Sequence, residues 1–231
     1  MRLYYEEDLK SQVGPFCAQL AQNHKPYRMV DSDELSRIAG TPMHGGIVAA
    51  ALPRDVPPLN IKEVQIWAKA GEGLLILDGV GNPHNLGAIA RTMAFFGMKH
   101  LLISDHPGQS GLSDAAYRVA EGGLEVLDTH RISGLPKTLK GLQPLYQVVG
   151  TALGSKAQTL GDLPVDKRPV AVVLGNEEDG LSPQVLAACE QVVTLPGTGA
   201  VQSLNVSVTA GILIYALWTA KSDVEKPDGA P

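Results

Sequence analysis

The residues of this chain best suited to chemistry fall in three short segments. "NPHNLGAIART" sets Asn85 and Arg91 about a turn and a half apart, around Gly87, at the start of a helical pattern. Glycine permits close approach of a backbone or ligand, and the Arg91 guanidinium is a fixed fork of donors suited to a phosphate or carboxylate. The same residues also read as an Asn85 helix cap followed by a surface arginine. "VVLGNEEDGLSP" places Glu177 and Glu178 between Gly175 and Gly180. This is either a backbone cradle with one carboxylate turned inward or a plain connection with exposed acids. "LPGTGAVQSLNVSVTAGILIYAL" joins a glycine-rich turn to Ser203, Asn205 and Ser207, and then to the most apolar run of the chain. Its "GTGAVQS" is a poor dinucleotide fingerprint, since a third glycine is missing and no acid closes a further strand, so a nicotinamide-dependent oxidoreductase has little support. No nucleophile elbow, P-loop or zinc spacing is present, and no Ser-His-Asp triad stands out. His84, beside Asn85, reads as an exposed residue.

The elements that must position these segments follow from apolar patterning. Continuous apolar runs at "LLILDGV", "HLLISD", "YQVVGTA", "VAVVLG" and "QVVTLPG" alternate with helical patterns, which predicts a parallel sheet covered by helices on both faces. Ligands of such sheets bind at the carboxyl ends of the strands, so the loops after the first, third, fourth and fifth runs are the expected site. Ahead of them, "RLYY", "PYRMV" and "GGIVAAAL" read as strands around the helices "EDLKSQVGPFCAQLAQNHK" and "DSDELSRIAG", the second capped by Asp31 and stopped by Gly40. "LPRDVPPLN" reads as a linker, and "IKEVQIWAKAG" as a helix with Ile61, Val64, Ile66 and Ala68 on its apolar face. The expected organisation is a small α/β domain over residues 1–55, linker and helix over 56–70, the main domain over 71–221 and a frayed tail over 222–231.

Composition bounds the function classes. The chain has 231 residues, 44% hydrophobic, with a formal net charge of −5, so an RNA partner would have to be recognised at a site and not by overall charge. The longest apolar stretch is far below the roughly 20 residues that cross a bilayer, and "MRLYYEEDLK" lacks the apolar core of a signal peptide, so a cytoplasmic protein without membrane contact is expected. The two cysteines, Cys17 and Cys189, lie far apart without ligand-spaced partners and read as ordinary buried thiols, with no metal expected.

Together the three segments resemble the SpoU, or TrmH-like, branch of the SPOUT methyltransferases, which move a methyl group from S-adenosylmethionine to a ribose 2′-hydroxyl of RNA. Motif one reads "NPHNLGAIART", motif two "GNEEDGL" and motif three "LPGTGAVQSLNVSVTAGILIY", in family order and spacing. Gly197 stands where many relatives carry methionine. The resemblance implies an α/β fold ending in a deep trefoil knot, an exception to the rule that folds are unknotted. It carries Arg91, Asn85, Glu177, Ser203 and Asn205 into the catalytic site. It implies S-adenosylmethionine bent in the knot and held largely by main chain of the loops at Thr151, Ala152, Gly175, Asn176, Leu195, Ser203 and Leu204. It also implies a tRNA or rRNA substrate, a homodimer through the knot helices including "AGILIYALW", and an RNA-binding role for the N-terminal unit. Relatives are described with the motif-one arginine as proton acceptor. A guanidinium keeps its proton above pH 12, so Arg91 is equally well read as the ligand of a phosphate and of developing alkoxide charge. Glu177 then orients Arg91 or faces the sulfonium, and Asn85 and Asn205 fix the ribose and Arg91. A non-catalytic knotted RNA-binding protein and a base methyltransferase are the alternatives; intact motif residues disfavour the first, and Asn85 with Arg91 disfavours the second.

Overall fold

The computed structural model describes residues 1–153, 157–164 and 166–219. The expected tail, 222–231, lies outside the described residues. The chain divides into two compact units, Met1–Arg54 and the remainder from Asp55.

In the first unit, β1 (Arg2–Tyr5) lies between β2 (Tyr27–Met29), parallel to it, and β3 (Ile47–Ala50), antiparallel. Helix α1 (Lys10–Gln22) packs Val13, Cys17 and Leu20 onto Leu3 and Tyr5. Helix α2 (Ser32–Ala39) begins where the Asp31 carboxylate accepts from the Glu34 N–H at 2.7 Å, and ends at Gly40, whose φ of 67° is easy only for glycine.

In the second unit α3 (Ile61–Lys69) precedes a six-stranded sheet in which every pairing is parallel. Its strands are β4 (Leu74–Asp78), β5 (His100–Ser104), β6 (Asp128–Ile132), β7 (Gln147–Thr151), β8 (Val170–Gly175) and β9 (Gln191–Val193), in spatial order β6-β5-β4-β8-β7-β9. Successive residues of a strand point to opposite faces, so each apolar run feeds two cores. Leu75, Leu77, Leu101 and Val172 face α4 (Pro83–Phe95), α5 (Asp114–Ala120), α6 (Gly123–Val126) and α9 (Val206–Ile214). Leu74, Ile76, Leu102 and Val173 face α3, α7 (Leu135–Leu142) and α8 (Pro183–Leu186). Burial on both sides is why these runs are continuous and not alternating.

Two local expectations are corrected. The strand β6, "DTHRI", is absent from the apolar runs because its exposed positions, Asp128 and Arg131, carry charge, while Thr129 and Ile132 are buried. In α3 the buried residues are Val64 and Trp67, whereas Ile61 and Ile66 are 51% and 65% exposed. Val64 and Trp67 stand three apart on one face, and Trp67 stacks on His100 with ring centroids 4.0 Å apart.

Candidate active site

From β4 the chain runs outward through β5 and β6, then returns on the other side of β4, so the strand order reverses between β4 and β8. Loops diverge at such a reversal and leave a crevice at the carboxyl ends of the strands. The four loops expected to build the site follow β4, β8, β7 and β9, which are neighbours in that order.

The β4–α4 loop turns at Gly79, φ 85°, and the Asn82 side chain caps α4, its Oδ1 accepting from the His84 N–H at 2.9 Å. Asn82 being the cap, Asn85 is released from that task. It is 8% exposed, and such a buried amide needs partners. Asn85 Nδ2 donates to Glu177 Oε1 at 2.8 Å, and Asn85 Oδ1 accepts from Asn205 Nδ2 at 3.1 Å. The second carboxylate oxygen of Glu177 accepts from the Gly81 N–H at 3.3 Å. Asn205 caps α9, its Oδ1 accepting from the Ser207 N–H and hydroxyl at 2.8 and 2.6 Å. One hydrogen-bonded chain thus ties the loops after β4, β8 and β9.

The glycines serve that assembly. A Cβ on Gly175 would stand 2.3 Å from the Gly180 carbonyl carbon, and the Asn176–Gly180 pair exchanges two main-chain hydrogen bonds of 3.2 and 3.0 Å. The cradle between the two glycines therefore closes on its own backbone and turns Glu177 toward Asn85. Gly87 likewise admits a backbone: its Cβ would meet the Ala116 carbonyl oxygen of α5 at 2.4 Å.

Arg91 stands elsewhere. Six residues along a helix amount to roughly 240° of rotation, which takes Arg91 off the Asn85 face. Its Nη1 pairs with Glu121 Oε1 at 2.8 Å, and both side chains are more than half exposed. The structure does not bring Glu177 to Arg91: the carboxylate bonds to Asn85 and Gly81, and the guanidinium to Glu121. Ser203 and Leu204 are exposed, Leu195 is half-buried, the Thr151 hydroxyl donates to the Val173 carbonyl at 3.2 Å, and the Ala152 N–H donates to the Val193 carbonyl at 3.0 Å. The Asn176 side chain binds loops together, donating to the Gly79 carbonyl at 2.9 Å and accepting from the Glu178 and Asp179 N–H groups at 2.8 and 3.1 Å.

Sequence reasoning missed Gln109. Its Oε1 accepts from the Gly79 and Val80 N–H groups at 3.0 and 3.1 Å, and its Nε2 donates to the Val80 and Ser110 carbonyls at 3.2 and 3.1 Å, which pins the turn before Gly81. A lone glutamine in a loop carries no periodic or capping signal.

The amino-terminal edge of the sheet holds a separate polar cluster. Glu72 accepts from Lys99 Nζ at 2.6 Å and pairs with His100 Nε2 at 2.8 Å. Burial pushes the Glu72 carboxyl up, but its bonds to Lys99 and His100 outweigh that and hold it below the usual range, while the same pairing raises Lys99. Burial pushes the Cys189 thiol up to about 12. Among the described residues no cluster of metal-ligating side chains occurs, and no helix is long and apolar enough to cross a membrane.

Comparison with known proteins interprets this arrangement. The SpoU rRNA methylase family matches residues 73–215, the span that contains the whole network. The chain belongs to the SpoU rRNA methylase family. In this SpoU methylase residues 2–56 match a second family, the RNA 2′-O ribose methyltransferase substrate-binding domain. The SpoU chain is 39% identical over 191 residues to the 23S rRNA (guanosine-2′-O-)-methyltransferase RlmB of Acinetobacter baylyi, covering 79% of this chain and 74% of that protein. It is 30% identical over 210 residues to RlmB of Haemophilus ducreyi, covering 89% and 83%. An AdoMet-bound rRNA methyltransferase from Sinorhizobium meliloti shares the fold, with a TM-score of 0.76 at 21% identity over 96% of this chain and 80% of that one.

Proposed function

We propose that this SpoU methylase transfers a methyl group from S-adenosylmethionine to a ribose 2′-hydroxyl of ribosomal RNA, at a guanosine of 23S rRNA as in its RlmB relatives. The observation that carries this reading is the hydrogen-bonded network that joins buried Asn85 to exposed Glu177 and Asn205 at the strand-order reversal, inside the matched family span.

The donor set suits an adenosyl group. Thr151 and Gly175 end β7 and β8, and Ala152, Asn176, Leu195, Ser203 and Leu204 lie on the loops after β7, β8 and β9. Leu153, Val201 and Leu204 expose apolar side chains there, and an added Cβ at Gly197 would meet no atom within 4 Å. When bound, S-adenosylmethionine supplies an electrophilic methyl group on a sulfonium. The chain's own residues align the acceptor: Asn85 and Asn205 hold the ribose edge of the crevice rigid, and Glu177 adds negative charge that favours the sulfonium cation. Arg91, which faces away from that network toward Glu121, binds a phosphate of the RNA beside the reacting ribose, and its positive charge favours loss of the 2′-hydroxyl proton to water or phosphate. Positioning of this kind accounts for much of the rate in a displacement that needs no covalent intermediate.

In the same reading the segment after β9 passes through the trefoil knot, and the first unit binds RNA. The protein acts in the cytoplasm as a homodimer through α9 and the end of α4. Exposed Phe95, Val208 and Tyr215, at 81%, 50% and 63%, support such an apolar contact. The test is transfer of tritiated methyl to unmodified 23S transcript, followed by nucleoside analysis. Label in 2′-O-methylguanosine is expected; label in a base, or none with folded protein that binds S-adenosylmethionine, refutes the reading.

A further inference from the structure

Arg91 meets Glu121 at a turn whose backbone is unfavourable for an acid. Glu121 closes α5 with φ 43° and ψ 51°, in the left-handed region where glycine is favoured and a long side chain is not. Gly122 and Gly123 follow immediately, so glycine takes the two positions after this carboxylate and not the position of the carboxylate itself. Gly123 packs hard on α4: an added Cβ would stand 2.9 Å from the Ala90 carbonyl oxygen and 3.0 Å from the Arg91 main chain. That contact holds the turn against α4 and brings Glu121 to Arg91.

Stability does not account for the arrangement. The two side chains are 58% and 62% exposed, and ion pairs so open to water contribute little to folding. A disfavoured conformation that returns little stability points to function. A carboxylate accepts from a guanidinium through planar oxygens, as a phosphate does.

We propose that Glu121 is an anionic placeholder that weakens RNA binding at Arg91, its carboxylate occupying the place on Arg91 that a phosphate of the substrate RNA takes. The proposal rests on the reading of Arg91 as a phosphate ligand. Binding then exchanges one anion for another: the phosphate takes the guanidinium and the carboxylate goes to water. An RNA that touches Arg91 alone must displace Glu121 and meet its charge. An RNA held by the rest of the site offsets that cost. The cost falls on every RNA that reaches Arg91, and an RNA without further contacts is the one that fails to stay bound.

The test compares the full chain with Glu121→Gln and Glu121→Gly, each with and without Arg91→Gln. Binding of a uridine 12-mer is followed by fluorescence anisotropy at several salt concentrations, and methyl transfer is measured on 23S transcript. Both Glu121 variants are expected to bind the 12-mer about threefold more tightly. Their salt dependence steepens by about 0.7 in logarithmic slope, one phosphate more, and KM for the transcript falls. The gain disappears in the Arg91→Gln background. Unchanged or weaker 12-mer binding overturns the proposal, as does a gain that survives Arg91→Gln. A fall in kcat at unchanged affinity also overturns it, since Glu121 would then aim Arg91. Arg91→Gln alone tests the underlying reading: if it alters neither RNA affinity nor turnover, Arg91 is no phosphate ligand, whatever the Glu121 variants do.

Discussion

Asn85 donates to Glu177 at 2.8 Å across 92 positions of sequence, and this one bond joins the loops at the strand-order reversal. Both groups are committed, since Glu177 also accepts from Gly81 and Asn85 also accepts from Asn205. Asn85→Asp sets a second carboxylate beside Glu177, and the repulsion at this part-buried contact is expected to cost about 1–3 kcal/mol and to abolish methyl transfer. In a double-mutant cycle of Asn85→Ala and Glu177→Ala, thermal or denaturant unfolding is expected to give a coupling of about 0.5–3 kcal/mol. Additive single effects would contradict the network.

The glycines divide by what surrounds them. Alanine at Gly87 or Gly175 drives a Cβ to within 2.4 or 2.3 Å of main-chain atoms, so each is expected to destabilise by about 1–3 kcal/mol. Gly175→Ala displaces Glu177 as well, and its loss of turnover exceeds its loss of stability. Gly197→Ala, with open space beside it, is expected to change stability by less than about 0.5 kcal/mol. Unfolding midpoints of the three variants check the order.

The Glu72 cluster makes stability depend on pH in a direction that can be worked out. Glu72 is held below its ordinary value of 4.5, so its contribution is whole above that pH and is lost as pH falls through the lowered value. Lys99 is raised above its ordinary 10.5, so its share is whole below that pH and is lost as pH rises through the raised value. Glu72→Gln is therefore expected to destabilise the protein by an amount that is steady across neutral pH and vanishes in acid. Denaturant unfolding of both proteins at about pH 7 and below about pH 4 measures the difference. A gap that persists in acid would show that the loss is one of packing.

Cys189 lies against Gly150, whose added Cβ would stand 2.7 Å from its sulfur, and burial raises the thiol to about 12. The thiolate is the reactive form, so at neutral pH Cys189 is expected to resist thiol reagents in the folded state. Cys189 is half-buried and not fully buried as expected, so labelling followed by mass spectrometry should show it modified more slowly in the folded than in the unfolded protein.

By itself the sequence determined whatever rests on neighbours a few residues apart. Asp31 and Gly40 bound α2, continuous apolar runs mark five strands, and the three motif segments fall at strand ends, because capping and side-chain periodicity act over one turn or one pleat. The candidate residues Asn85, Glu177 and Asn205 were legible for the same reason. Their mutual bonds were not: partners 92 and 120 positions apart meet only after the strand order places β4 beside β8. Packing also decided that Asn82 and not Asn85 caps α4, that β6 completes the sheet edge, and that Trp67 and not Ile66 enters the core. The pairing of Arg91 with Glu121 depends on the close approach of Gly123 to α4, a contact between segments that no local pattern encodes.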